Sequence, residues 1–271
     1  MPKVFHPLRV QGQKILLTGS SGALGKQYSE AFLRAGNRVA GLDLVLSGSA
    51  RRLLQKFPRT FRWFPADVRS RESLQEAWPR IRRWLGVPTV LINNAALDSP
   101  PSAPAGENGP FENYPEESWR KVLDVNLTGI FFCCQVFGGA MAKAGRGSII
   151  NIGSIYGMVS PDPRLYEYRH QKGERFYKPV AYSASKSGIY NLSRYLAVYW
   201  APRGVRVNSL TLAGVWNHQH PKFLQAYLRR IPIGRMARPG DYLGPIFFLA
   251  SPGSQYMTGA NLVVDGGWTA L

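Results

Sequence analysis

The sequence predicts one α/β domain spanning residues 1–271, built as a doubly wound, seven-stranded parallel sheet with helices on both faces. Three observations predict it. Apolar runs of strand length alternate with helical stretches along the whole chain, as in a parallel sheet covered on both sides. The first run leads straight into a glycine-rich turn and a helix. A length of 271 residues with 45% hydrophobic residues suits one core of that size and excludes disorder, collagen and coiled coil.

Residues 1–12 read as a basic N-terminal extension without the apolar stretch or cleavage site of a signal peptide. Residues 14–18 (KILLT) form the first strand, Gly19 to Gly25 the turn, and a helix runs to Arg34, closed by Ala35-Gly36. Further strands are expected at 38–42, 61–64, 89–93, 148–152, 206–210 and 261–264, and helices at 70–84, 117–142 and 182–200. Three segments interrupt this rhythm: 97–115, with Pro100, Pro101, Pro104, Pro110 and Pro115; the polar, aromatic stretch 159–179; and 215–239. Each follows a strand end, where open parallel sheets bind ligands, so all three are expected as loops or a lid on the active-site side.

No uninterrupted apolar run reaches the roughly 18 residues of a membrane span. Cys133 and Cys134 are adjacent in a helical stretch, where neighbours point about 100° apart and bridge poorly; a reduced, cytoplasmic protein is expected, with no membrane partner. The 34 Lys and Arg outnumber the 16 Asp and Glu, a formal charge of +18. Ten of the basic residues lie between Arg51 and Arg83, and five more between Lys222 and Arg238 without an acid. Such an excess fits nucleic acid, an anionic small substrate or a solvated surface, and composition does not choose among them.

A strand, a glycine turn and a helix N-terminus make a pyrophosphate site, because glycines let backbone approach the phosphates and the helix offers free N–H groups. Here the glycines are Gly19, Gly22 and Gly25, a spacing that a plain βα turn also satisfies. Asp43 ends the second strand 18 residues after Gly25, where a carboxylate accepts from adenosine ribose hydroxyls and repels a 2′-phosphate. NAD is therefore preferred; Arg51 and Arg52 are the counter-evidence that keeps NADP open. Asp67, after the third strand, is placed to meet the adenine or to cap the next helix.

Thr18-Gly19 through Gly25, Asn93-Asn94-Ala95-Ala96, Asn126 in DVNLTG, Asn151-Ile-Gly-Ser154, Tyr182-Ser-Ala-Ser-Lys186, Val205-Arg-Val-Asn208 and Thr258 to Gly267 around Asp265 occur in the order and strand context of the short-chain dehydrogenases/reductases. The chain resembles that family over about residues 10 to 268. The resemblance implies a Rossmann-like fold, hydride transfer between a nicotinamide dinucleotide and a secondary alcohol or ketone, and a homotetramer built on the 117–142 and 182–200 helices. It implies Tyr182 as acid/base, Lys186 as its electrostatic partner and ribose ligand, Ser154 as the donor orienting the substrate oxygen, and Asn126 as the site of a water relay. For the cofactor it implies Gly19, Ser21, Gly22, Leu24, Gly25, Asp43, Asp67, Val68, Asn94 and Ala95, together with Tyr182, Lys186 and Val215.

The chemistry agrees. Tyr182 and Lys186 are one helical turn apart on one face. A tyrosine of ordinary pKa near 10 is a poor base, and lowering it to about 7 takes about 4 kcal/mol of differential stabilisation, which a nearby ammonium and a cationic nicotinamide are suited to supply. Tyr168-Arg-His-Gln-Lys172 has the same spacing and lies 14 residues after Ser154, against 28 for Tyr182. The small residues Ala181, Ser183, Ala184, Ser185, Ser187 and Gly188 favour Tyr182, since close cofactor approach needs them; the Tyr168 segment reads as an insertion over the site.

Two departures from the family pattern stand out: Ala96 replaces a glycine, and Leu212-Ala213 replaces Pro-Gly before Gly214, leaving Val215 as the candidate contact to the carboxamide. His218 and His220 lack a third ligand, so no metal is expected. Phe131, Phe132 and Phe137 read as core or subunit interface, and Ser154 is not central in a Gly-x-Ser-x-Gly elbow. From Lys178 to Gly267 the chain resembles family branches of bacterial surface-sugar pathways, which implies a small-molecule substrate that is a sugar or nucleotide sugar; the basic rim favours an anionic one, with no nucleic acid as primary partner. The alternatives are a 3-oxoacyl-carrier reductase, a nucleotide-sugar epimerase or dehydratase, and a non-catalytic dinucleotide-binding protein.

Overall fold

The computed structural model describes Leu8 and residues 10–98 and 105–271. Most of the N-terminal extension, and Pro100, Pro101 and Pro104 of the first loop, lie outside the described residues. In chain order the elements are β1 (Lys14–Thr18), α1 (Ala23–Arg34), β2 (Arg38–Asp43), α2 (Gly48–Lys56), β3 (Phe61–Pro65), α3 (Arg71–Leu85), β4 (Val90–Asn93), α4 (Glu116–Lys143), β5 (Gly147–Ser154), α5 (Val180–Trp200), β6 (Val205–Leu212), α6 (Pro221–Leu228), α7 (Leu243–Ala250) and β7 (Asn261–Val264). All strand pairs are parallel, in the order β3-β2-β1-β4-β5-β6-β7. The order reverses between β1 and β4, which opens a crevice at their carboxyl ends.

Strand alternation assigns the core. Leu16, Ala40, Leu42, Leu91 and Ile149 point to one face, where Leu74 and Ile81 of α3, Phe137 and Met141 of α4, and Ile189 of α5 cover them. Ile15, Leu17, Val39, Val90, Ile92, Ile150 and Ile152 point to the other, under Tyr28 and Phe32 of α1 and Leu249 of α7. Phe32 stacks on Phe247 of α7 at 4.4 Å between ring centroids. Helix α4 is long and apolar enough to cross a membrane by composition alone, but half of its most apolar stretch is buried inside the protein. Phe137 is in that core and Phe132 packs partly against it, whereas Phe131 is exposed.

The structure changes three sequence expectations. Strands β5 and β6 run two residues further than the apolar runs, to Ser154 and Leu212, because these two pair with each other in the sheet. The cap of α3 is the Ser70 hydroxyl, which accepts the Ser73 N–H at 3.0 Å; Asp67 instead accepts the Arg69 N–H and pairs with its guanidinium at 2.7 Å. Segments 159–179 and 215–239 are not plain loops. The first holds a 3-10 turn (Pro163–Tyr166) and a helical turn (Glu167–His170), and the second holds α6. Leu165, Tyr166, Phe176, Tyr227, Ile231, Met236 and Trp268 give them a third apolar cluster of their own. Asp162, which also pairs with Arg164 in its own segment, ties the two segments by an ion pair to Arg230.

Candidate active site

The turn after β1 is shaped by contacts that exclude side chains. Gly19 has φ +66°, and a Cβ on it would stand 2.8 Å from Ala95 Cα; a Cβ on Gly25 would stand 2.1 Å from the Gly19 carbonyl oxygen. Asn94 braces the turn, donating through Nδ2 to the Thr18 and Gly19 carbonyls at 3.2 and 3.1 Å. No side chain caps α1, whose N-cap is Gly22, so its first N–H groups face the groove free of a side-chain acceptor. A groove of about 860 Å³ runs from there past Ser21, Leu24, Asp43, Asp67, Val68, Asn94 and Ala95. This cradle fits a dinucleotide: narrow backbone at the turn, open N–H groups at the helix and a carboxylate at the end of β2. Asp43 accepts from the Ser21 and Leu44 N–H groups at 2.9 and 2.8 Å.

Leu24, Asn94, Ala96 and Asp98 line both this groove and a second cavity of about 600 Å³. Ser154, Tyr182 and Lys186 form one side of that cavity, with Val215 beside them. Ala96 is exposed and lines both groove and cavity. Helix α5 carries Tyr182 and Lys186 on one face. Lys186 is buried, donates from Nζ to the Ile152 carbonyl at 2.9 Å and sits 5.8 Å from the Tyr182 ring centroid. Burial brings its pKa down to about 8, against the opposing charge of Asp98. Burial, then Asp98, push the Tyr182 pKa well up, while a hydrogen bond with the Ser154 side chain acts the other way.

Asn126 lies in a π turn of α4 (Asp124–Thr128) and clamps the backbone after β4: Oδ1 accepts the Leu97 N–H at 2.7 Å and Nδ2 donates to the Leu97 carbonyl at 2.9 Å. Its Nδ2 also reaches Ser185 Oγ at 3.0 Å, next to Lys186. Tyr190, one further turn along α5, was missed by sequence reasoning. Its hydroxyl donates to the Ser154 carbonyl at 2.7 Å, accepts the Ser154 N–H at 3.2 Å and meets Thr211 Oγ1 at 2.8 Å, which fixes the end of β5. The signal was available: Tyr182, Lys186 and Tyr190 recur every four residues.

Tyr168 does not join Tyr182. It stacks on His220 at 4.4 Å across the cavity, and Lys172 is exposed. The departure at Leu212-Ala213 has a defined backbone course. Ala213 accepts from the Tyr242 hydroxyl at 2.9 Å, Gly214 N–H donates to the Tyr227 hydroxyl at 2.9 Å, and Val215 bridges to Ala237. His218 has φ +54° and packs its ring against Trp216. Among the described residues no three of His, Cys, Asp or Glu come together as a metal group.

A family profile described as enoyl-(acyl carrier protein) reductase matches residues 19–269. The chain is 31% identical to a D-threitol dehydrogenase of Mycolicibacterium smegmatis, over 98% of this chain and 96% of that one. It is 30% identical to an L-tagatose-forming galactitol 2-dehydrogenase of Cereibacter sphaeroides, over 96% of each. Among solved structures it is similar to a short-chain dehydrogenase of Leptospira borgpetersenii with bound NAD+, with a TM-score of 0.81 and 33% identity over 96% of this chain and 94% of that one. The chain belongs to the short-chain dehydrogenase/reductase family. This short-chain dehydrogenase/reductase is an NAD(P)-dependent oxidoreductase with a Rossmann-like fold.

Proposed function

We propose that the chain acts as one domain that interconverts a secondary alcohol and a ketone on a sugar or sugar alcohol, with NAD as the preferred dinucleotide. The observation that carries this is the cavity over Tyr182, whose remaining wall presents the hydrogen-bonding side chains of Tyr166, Tyr168, Asn217 and His220, suited to a row of hydroxyls. The names of the two dehydrogenases above point to the same substrate class. NAD is supported by Asp43, which lines the groove, whereas Arg51 and Arg52 lie on α2 away from its lining.

In this reading Ser154 donates to the substrate oxygen and Tyr182 gives or takes the hydroxyl proton. Lys186 holds positive charge beside the phenol, and Asn126 keeps the backbone after β4 in place as part of a proton route. The bound dinucleotide supplies the hydride acceptor or donor and, when oxidised, a positive ring near the phenol. Gly19, Ser21 and Gly22 hold the pyrophosphate, and Asp67 and Val68 flank the adenine.

Exposed Tyr195, Val198 and Tyr199 on α5 and Phe131 on α4 supply the apolar faces of a homotetramer, and light scattering should give four times 30.2 kDa. The two buried free cysteines suit a reducing, cytoplasmic setting. Fluorescence titration with NADH and NADPH, followed by a panel of polyols, ketoses and 3-oxoacyl thioesters read at the nicotinamide absorbance, tests the reading. Tighter binding of NADH and turnover of polyols are expected; reduction of the thioesters alone overturns it.

A further inference from the structure

The net charge of +18 invites an anionic substrate, and the cavity over Tyr182 argues against one. Among the described residues lining it, those formally charged at neutral pH are Asp98, Lys178 and Lys186. Lys186 is tied to the Ile152 carbonyl beneath Tyr182. Lys178, four residues before Tyr182, lies 5.1 Å from that ring centroid and is the cation a substrate carboxylate would seek. It is already matched: its Nζ is 2.6 Å from both Asp98 oxygens, with the Lys178 side chain only 11% exposed and Asp98 46% exposed. None of the four arginines of the lid segment lines the cavity, and two of them are engaged elsewhere, Arg230 with Asp162 and Arg235 with Asp241. The His220 ring is engaged too: Nδ1 accepts the Lys222 N–H at 3.2 Å, and the ring stacks on Tyr168.

Resting on the sugar or sugar-alcohol reading above, we propose that the Lys178–Asp98 pair makes this cavity selective for uncharged polyols and ketoses over the corresponding sugar acids. The more exposed partner is the carboxylate, so an incoming substrate meets acceptor oxygens first. Hydroxyls donate to those oxygens; a second carboxylate is repelled by them and reaches Lys178 only by displacing Asp98. Asp98 also lines both the groove and the cavity, so it faces the space in which a substrate meets the dinucleotide.

The test is steady-state kinetics at pH 8 with NAD, comparing galactitol and D-threitol with gluconate, for the wild type, Asp98→Asn, and Asp98→Asn combined with Lys178→Met. The expected wild-type kcat/KM favours the better polyol over gluconate by at least tenfold. Asp98→Asn should narrow that ratio at least tenfold by raising activity on gluconate, and adding Lys178→Met should remove the gain. A wild type that prefers gluconate, or a ratio unchanged in Asp98→Asn, overturns the proposal. Failure of the underlying reading looks different: neither polyol nor gluconate turns over while 3-oxoacyl thioesters do.

Discussion

Tyr182 and Tyr168 show what a residue owes to its neighbours. Both begin a Tyr-x-x-x-Lys pattern, yet only Tyr182 has its lysine buried beneath it, because α5 continues for 21 residues while the Tyr168 turn ends at once. Tyr182→Phe should lower kcat by about 10³-fold, within the range for loss of a general acid/base, with dinucleotide binding retained. Tyr168→Phe should leave kcat within about threefold; the reverse pattern would move the chemistry to the other tyrosine. Lys186 carries a cost as well as a role. Its folded pKa of about 8 lies below the ordinary 10.5, so up to pH 8 it is charged in both states and its burial destabilises the fold by about 3 kcal/mol. Between pH 8 and 10.5 the folded lysine loses its proton first and the unfolded chain binds more protons, so stability rises. Lys186→Met should therefore show its most favourable Tm relative to wild type at pH 7, with that advantage shrinking as pH rises to 10. Activity should fall throughout. A Tm difference independent of pH would show that the buried ammonium is not the cause.

At the scale of elements, the glycine turn separates positions that look alike in sequence. A methyl on Gly25 would stand 2.1 Å from the Gly19 carbonyl oxygen, a backbone clash, whereas one on Gly22 meets that oxygen at 3.3 Å. Gly25→Ala should lose NADH binding and several degrees of Tm. Gly22→Ala should fold normally and weaken NADH binding alone, both read by thermal melting and fluorescence titration. The strands and the catalytic helix were legible because period-two and period-four patterns are local. Among the strands the largest differences are at the ends of β5 and β6, where polar Ser154 and Thr211 are held by pairing rather than apolarity. The lid was not legible as structure. Helix α6 is stabilised by Tyr227 and Phe223 packing on Trp268 and Tyr166, partners about 40 to 60 residues away in the chain, and no local pattern announces them. Lys178 and Asp98 are 80 residues apart and were likewise invisible as a pair.

For the whole molecule the open matter is what the positive charge acts on. Of the ten basic residues from Arg51 to Arg83, Lys56 and Arg69 have carboxylate partners, and Arg51 and Arg52 stand exposed on α2, outside the lining of the groove but on the stretch of chain that flanks it. The substrate cavity holds a matched pair instead. A field of this kind raises the local concentration of an anion approaching the groove and does nothing for a neutral polyol, and salt screens it over about 10 Å at 0.1 M. The dinucleotide, with its pyrophosphate, is the anion. KM for NAD should therefore rise several-fold between about 20 and 500 mM NaCl, while KM for the polyol measured at saturating NAD stays nearly constant. If salt moves the polyol KM and leaves that of NAD unchanged, the field is directed at the substrate, and the neutral character assigned to the cavity fails with it.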